Sequence, residues 1–223
     1  DIEIYMDVHT KRILYALQET GSGFNEYLDM IYFGSYVPKL NEDGYKEVVG
    51  RKARIGRNIR LIDHGKQFNI KNITVLPFYV DHSLPGAMAF ILETSAGVVV
   101  YTGDLRLRGR RREDTENFVR IAREMRPRYL LCEGSLIDME HVGDEEGIVK
   151  HLVNFIKDKR GMVFVSYPPR DLDRITTLYK VAKRSGRILA IDTRQAFLLD
   201  LFDGDLNYPK TSYKNIAIYV PRK

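Results

Sequence analysis

A histidine and an aspartate, His82 and Asp104, bracket the stretch "HSLPGAMAFILETSAGVVVYTGD", with two strongly apolar runs between them. Each directly follows a strand-like segment, where a side chain is held rigidly and still faces an open loop side. Imidazole and carboxylate are what zinc or manganese accepts from such a position. Gly86 and Gly103 keep the backbone compact beside each of them. On spacing alone, the pair also reads as a hydrogen-bonded structural histidine and an ordinary turn, since a metal site draws on three or four ligands. A further carboxylate, Glu133 in "LLCEGSL", ends an otherwise apolar run. Five arginines follow Asp104 in "RLRGRRRE": Arg106, Arg108, Arg110, Arg111 and Arg112. Such a cluster suits phosphate, or else a solvated loop. If a strand continued past Asp104, Arg106 and Arg108 would share one face. A second basic run, "RKARIGRNIR" over 51–60, has the same two readings.

The elements that must position these residues follow from periodicity. "AMAFILET" and "GVVVYT", joined by the turn "SAG", make a hairpin whose strands are apolar on both faces, as in a sheet covered by other layers. Before it, "NIRLID", a turn at "HGK", "QFNI" and "ITVLPF" read as strands. At the start of the chain "DIEIYM" reads as a strand, and Thr10 is expected to cap a helix with Ile13, Leu14 and Leu17 on one face. Residues 20–58, broken by Gly21, Gly23, Gly34, Pro38 and Gly44, predict short helices and loops. "EDTENFVRIAREM" is an amphipathic helix with Phe118, Ile121, Ala122 and Met125 inward, and "RYLLCEG" is expected to be a short buried strand.

After Gly143 helix and strand alternate. Helices over 144–159, 171–184 and 193–202 separate the strands "MVFVS", "ILAID" and "IAIYV", a rhythm that implies a parallel sheet. A boundary is expected near 136–144, dividing the chain into 1–140 and 141–223.

Composition narrows the class. Hydrophobic content of 44% with 29% charged residues suits a globular protein, and no run approaches a membrane span. With no basic-then-apolar leader at its start, the expected location is the cytoplasm. A net charge of +5 does not by itself call for nucleic acid. The single cysteine, Cys132, excludes a disulfide framework and any cysteine-only metal site; it is expected to be a small buried hydrophobe. Both ends run directly into strand-like segments, which reads as an excerpt of a longer chain.

"VDHSLPGAMAFILETSAGVVVYTGDLRLRG" resembles the late catalytic motifs of the metallo-β-lactamase fold, in the β-CASP branch that holds ribonuclease J and the nuclease of mRNA 3′-end processing. The resemblance implies an αββα sandwich, here partial, followed by the start of an inserted parallel-sheet β-CASP domain. It implies that His82 binds a metal and that Asp104 bridges two. Glu133 would support a ligand histidine from behind. "GMVFVSYPPRDLDRITTLYKVAKRSGRILAID" resembles the inserted domain, and "DIEIYMDVHTKRILYAL" the strand and helix after the family's first motif. The implied activity is zinc-dependent hydrolysis of phosphodiesters with two ions, manganese being the alternative metal. RNA is preferred over DNA as substrate, exonucleolytic and endonucleolytic action are both left open, and there is room for a homodimer. The five arginines would then contact phosphates.

The departures are specific. The family's principal ligand cluster, His-x-His-x-Asp-His, does not occur in these residues, nor do the two histidines that follow the β-CASP insertion. His9, His64, His141 and His151 stand at turns or on helix faces and do not replace them. "YPPRDLDR" occupies a position where ribonuclease J-like chains carry small residues, and its prolines stiffen that turn. Two further expectations therefore stand beside a nuclease: a degenerate β-CASP subunit that binds nucleic acid or serves assembly, and, more weakly, a hydrolase of small molecules.

Overall fold

The computed structural model of the chain describes residues 2–20, 32–33, 37–40, 46–49, 55–135, 143–204 and 207–221. It is a mixed α/β structure in two compact units, Asp1–Ile62 and Asp63–Lys223. The expected boundary at 140/141 falls inside the second unit.

In the first unit, β1 (Ile4–Met6) pairs in parallel with β6 (Ile59–Leu61). Between them come α1 (Val8–Thr20), β2 (Tyr32–Phe33), β3 (Val37–Leu40), β4 (Lys46–Val49) and β5 (Ile55–Gly56), the strands forming two antiparallel pairs, β2 with β5 and β3 with β4. Within 20–58 described residues form short strands where helices and loops were expected; Gly21, Gly23, Gly34, Gly44 and the other residues of 21–54 not in those strands lie outside the described residues. The cap of α1 is Asp7 instead of Thr10: its Oδ1 accepts from the backbone N–H of His9 at 2.6 Å and of Thr10 at 3.2 Å. An aspartate one residue before the helix reaches its unpaired N–H groups with a full charge, which a threonine inside the first turn cannot do.

The second unit is built on a five-stranded sheet in the order β11-β10-β9-β8-β7. β7 (Phe68–Ile70), β8 (Ile73–Tyr79), β9 (Met88–Thr94) and β10 (Gly97–Tyr101) are an antiparallel meander, and β11 (Tyr129–Leu131) adds in parallel to β10. The connection to β11 is α2 (Arg112–Glu124), which lays Phe118 and Ala122 against Phe78, Val80, Ala89, Ile91 and Val100. Ile121 and Met125 pack at the margin of this core, so the inward stripe is the one its 3.6-residue period predicts. Only alternate residues of β9, Ala89 and Ile91, are fully buried, so the hairpin has one dry face and one half-buried face. β11 is an edge strand with Tyr129, Leu130 and Leu131 all exposed, and Cys132 beyond it is exposed as well. Apolar composition had pointed to burial for both; an edge strand with one neighbour does not supply it.

Beyond the sheet, α3 (Glu145–Ile156) and α4 (Leu172–Arg184) pack through Val149, Ile156 and Val181. Each begins at an aspartate cap, Asp144 and Asp171 respectively. β12 (Leu189–Asp192) and β13 (Ile216–Tyr219) are parallel and joined through α5 (Thr193–Asp200), whose start is locked by a reciprocal Asp192–Gln195 capping box. The parallel rhythm expected after Gly143 is therefore present in this pair. The expected strand "MVFVS" has no strand pairing: Val163 packs on the α3–α4 core, while Met162 and Phe164 are exposed. Among the described residues no helix is long and apolar enough to cross a membrane.

Candidate functional site

β8 and β10 are both antiparallel to β9, and β11 is parallel to β10, so β8, β10 and β11 end on the same edge of the sheet. His82 follows the first, Asp104 the second and Glu133 the third. Three chemically capable side chains far apart in sequence are thereby delivered to one rim. Val80 N–H to the Ala87 carbonyl, 3.0 Å, closes the loop that carries His82. Gly86 and Gly103 both adopt left-handed backbone (φ +82° and +56°), which glycine reaches without a Cβ penalty. A Cβ on Gly103 would also press to 3.0 Å on the Met88 carbonyl.

Thr102 sets the spacing between Asp104 and Glu133. Its backbone N–H donates to the Leu131 carbonyl at 3.0 Å, and its buried Oγ1 accepts from the Glu133 N–H at 3.3 Å. The ends of β10 and β11 are thus tied side by side. His82 Nε2 stands 3.9 Å from Asp104 Oδ2, and Ser83 Oγ lies 3.2 Å from the other ring nitrogen, Nδ1. Asp104 is 76% exposed. The Glu133 carboxyl is held below its usual range, first by the Ser135 N–H that donates to Oε2 at 2.8 Å and by the Ser135 side chain; Leu105 N–H and the His82 imidazole act in the same direction. Glu133 is thus an ionised carboxylate on which the His82 imidazole acts only as the weakest of these influences.

His82 and Asp104 offer two donors of the kind that zinc or manganese takes. They fit part of a ligand set. Among the described residues no group of three or more His, Cys, Asp or Glu side chains is arranged to hold a metal ion. The remaining histidines serve elsewhere: His64 Nδ1 accepts from the Tyr79 N–H at 2.8 Å and its ring stacks on Tyr79, His9 hydrogen-bonds Asp7, and His151 is exposed on α3. His141 lies outside the described residues.

The arginine cluster is divided. Arg108 and Arg112 are exposed. Arg106, Arg110 and Arg111, expected on phosphates, turn inward, and no strand continues past Asp104 to put Arg106 beside Arg108. Two buried carboxylates draw them in. Asp81 Oδ2 accepts from Arg106 Nε at 3.1 Å, and Asp81 Oδ1 from the Arg111 backbone N–H at 3.1 Å. Asp173, in the first turn of α4, takes Arg106 at 2.6 Å and both terminal nitrogens of Arg111 at 3.0 Å. Arg111 also donates to Tyr208 Oη and to the carbonyls of His82 and Leu84, at 2.9, 2.7 and 3.1 Å. Arg110 donates to Thr176 Oγ1 and the Asn207 carbonyl and lies over the Tyr208 ring. Burial works against the Arg111 charge, but Tyr208, Asp173 and Asp81 outweigh it and hold the guanidinium above its ordinary value. A fully buried carboxylate without a cation would cost several kcal/mol, by order of magnitude, so Arg106 and Arg111 are committed to the interior, while Arg110 sits at the margin, 3.6 Å from Asp173. Sequence reasoning missed Asp81 and Asp173. Asp81, directly after the apolar run of β8, carried some signal; Asp173, among Arg170, Asp171 and Arg174 and more than 60 residues from the arginine run, carried none.

No family profile matches the chain. It is 25% identical over 134 residues to ribonuclease J 2 of Streptococcus pyogenes, covering 58% of this chain and 24% of that protein. It is 24% identical over 188 residues to ribonuclease J of Mycoplasma pneumoniae (75% and 33%) and 27% identical over 141 residues to ribonuclease J of Sinorhizobium meliloti (61% and 25%). The chain thus spans 24–33% of the length of these curated relatives. A crystal structure of a protein of unknown function from Enterococcus faecalis shares its fold with a TM-score of 0.62 at 23% identity, over 98% of this chain and 50% of that one.

Proposed function

We propose that the chain is part of a metal-dependent nuclease of the β-CASP kind, acting on RNA in preference to DNA. On this reading the meander and α2 belong to a metallo-β-lactamase sandwich within 1–140, and 141–223 to the inserted α/β domain. The carrying observation is the convergence of His82, Asp104 and Glu133 on one rim from strands that end together, with His82 Nε2 and Asp104 Oδ2 3.9 Å apart. The similarity to three ribonucleases J supports the substrate class.

In this reading His82 and Asp104 contribute two ligands to a zinc or manganese centre of two ions, completed by residues other than those described. Bound metal of this kind polarises a phosphoryl oxygen and lowers the pKa of a coordinated water. The residues in hand have narrower tasks. His82 presents Nε2 to the rim while Ser83 faces Nδ1. Asp104 presents a carboxylate that no described cation neutralises at salt-bridge distance, apart from the imidazole itself. Glu133, ionised, orients an imidazole through its charge. Arg108 and Arg112, turned outward, are the members of the cluster placed to meet phosphates, and the cytoplasm is the proposed site of action.

The test is hydrolysis of 5′-labelled RNA by the full-length protein with zinc or manganese, and of the Asp104→Ala and His82→Ala variants. Each substitution is expected to lower turnover by more than ~100-fold, the upper end of what is lost when groups merely supporting a ligand are removed. Zinc titration of the 223-residue chain alone should show only weak binding. If the full-length protein binds zinc tightly through other residues and neither variant affects cleavage, the assignment of the rim is wrong. If the full-length protein binds RNA and cleaves nothing with either metal, it is a binding or assembly subunit.

A further inference from the structure

A concavity lined by none of His82, Asp104 and Glu133 lies between one face of α4 and the segment that follows α5. Thr176, Tyr179, Lys180 and Lys183 recur at the i, i+3, i+4, i+7 spacing of a single helix face. Opposite them, Lys210 and Tyr213 come from a turn closed by the Tyr213 N–H to the Lys210 carbonyl, 3.0 Å. The space between has a volume of about 640 Å³. Four cationic side chains line it, those of Arg110, Lys180, Lys183 and Lys210, and no described lining residue is acidic. Asp203 steadies Lys210 at 2.7 Å, and Arg110 is fixed by Thr176 and the Asn207 carbonyl. Tyr179 and Tyr213 bring their rings to 5.6 Å between centroids, tilted by 39°.

We infer that this groove binds a single-stranded segment of nucleic acid, with a base against the Tyr179–Tyr213 pair and the backbone along Lys180 and Lys183. Interleaved rings and cations are what a strand with splayed bases needs: the rings give sequence-tolerant stacking and the cations follow the phosphates. A concavity of this size admits a nucleotide or two and excludes a duplex, whose bases are not free to stack on side chains. An acidic peptide would use the lysines but has no planar group for the tyrosines. That the strand held here is a substrate rests on the nuclease reading; that the groove holds a strand does not.

The test is equilibrium binding of a fluorescein-labelled oligouridylate to the full-length protein in EDTA, over a range of salt concentrations. Charge reversal at the two exposed lysines, Lys180→Glu with Lys183→Glu, is expected to weaken binding by at least ~10-fold and to flatten the salt slope by about 1.4, the single-strand value for two phosphates. Tyr213→Ala is expected to weaken binding by about 10-fold with the slope unchanged. An unchanged curve and slope in the lysine variant would overturn the inference. So would polyglutamate binding as tightly as the oligonucleotide with no effect of Tyr213→Ala, which would make the groove a site for acidic protein. Loss of binding in the lysine variant of a protein that cleaves nothing would uphold the groove and reject the nuclease reading; cleavage with binding indifferent to both variants would do the reverse.

Discussion

Asp81 and Asp104 each follow a strand, β8 and β10, and those strands point the same way. Asp81 is 0% exposed and Asp104 76%. Asp81 accepts from the Arg106 guanidinium and the Arg111 backbone, and its own N–H donates to Thr115 Oγ1 at 2.7 Å. Asp104 is near one imidazole at 3.9 Å. The first carboxylate has its bonding capacity filled by the fold; the second is held in place by backbone alone and faces out. The two regions meet at His82, whose carbonyl is gripped by Arg111 while its imidazole faces Asp104. A rigid, internally neutralised ionic lattice thus backs an exposed pair of donors. This is how a site keeps its geometry without using its reactive groups to do so.

The sharpest way to break this comparison is to remove one carboxylate from each side. Asp173→Ala leaves Arg106 and Arg111 partly buried without their shared carboxylate, and about 3–5 kcal/mol of stability should be lost in urea unfolding. Asp104→Ala should change the same measurement by less than about 0.5 kcal/mol, as for a surface position, while abolishing the proposed cleavage. Equal stability losses would mean that Asp104 is a structural residue and that the division drawn between the two regions is false.

A smaller effect is expected one layer out. Gly109 passes so close to the lattice that a Cβ there would stand 2.1 and 2.6 Å from the Asp81 carboxylate oxygens and 2.3 Å from Arg106 Nε. Asp81 is short, buried and bonded on both oxygens, so it cannot swing clear. Gly109→Ala should therefore cost about 1–3 kcal/mol, the usual range for overpacking, and should also disturb the His82 loop through Arg111. Thermal unfolding together with the His82 imidazole resonances would read both. A wild-type melt and an unmoved His82 would show that the lattice is loose and does not back the site.

The strands that carry the rim were legible: alternation and apolar runs located β8, β9 and β10. Strand ends alone left His82 and Asp104 open to a structural reading as well, and the resemblance of the stretch around them to a known family's motifs is what gave them a proposed role. The helix α2 was legible for a similar reason, a clean 3.6-residue stripe ending on Met125. The lattice was not, since nothing local distinguishes an arginine that will meet solvent from one that will meet Asp173 more than 60 residues later. That pairing is set by tertiary burial, and a basic run was accordingly assigned to phosphate. Burial at β11 failed for the complementary reason: apolar composition reports what a segment could bury, and an edge strand finds a neighbour on one side only.

Glu133 gives the finest test of the contrast, because it sits on the exposed side yet carries a perturbed charge. Its carboxyl is lowered chiefly by the Ser135 N–H, an interaction made in the folded state alone. A carboxyl lowered in this way contributes stability above its unfolded-state pKa, and the contribution fades as pH falls through the lower, folded-state value. Exposure to solvent keeps that contribution small. Glu133→Gln should therefore leave urea unfolding at neutral pH almost unchanged, and carboxyl NMR of the wild type should place the Glu133 titration below the ordinary glutamate range. If the rim is built for chemistry, the same substitution should still lower metal affinity or turnover of the full-length protein by about 10–100-fold, since an amide cannot act on a neighbouring imidazole as a carboxylate does. A glutamine variant with full activity would reduce Glu133 to the cap of its own loop and leave the proposed metal-binding role, among the described rim residues, to His82 and Asp104.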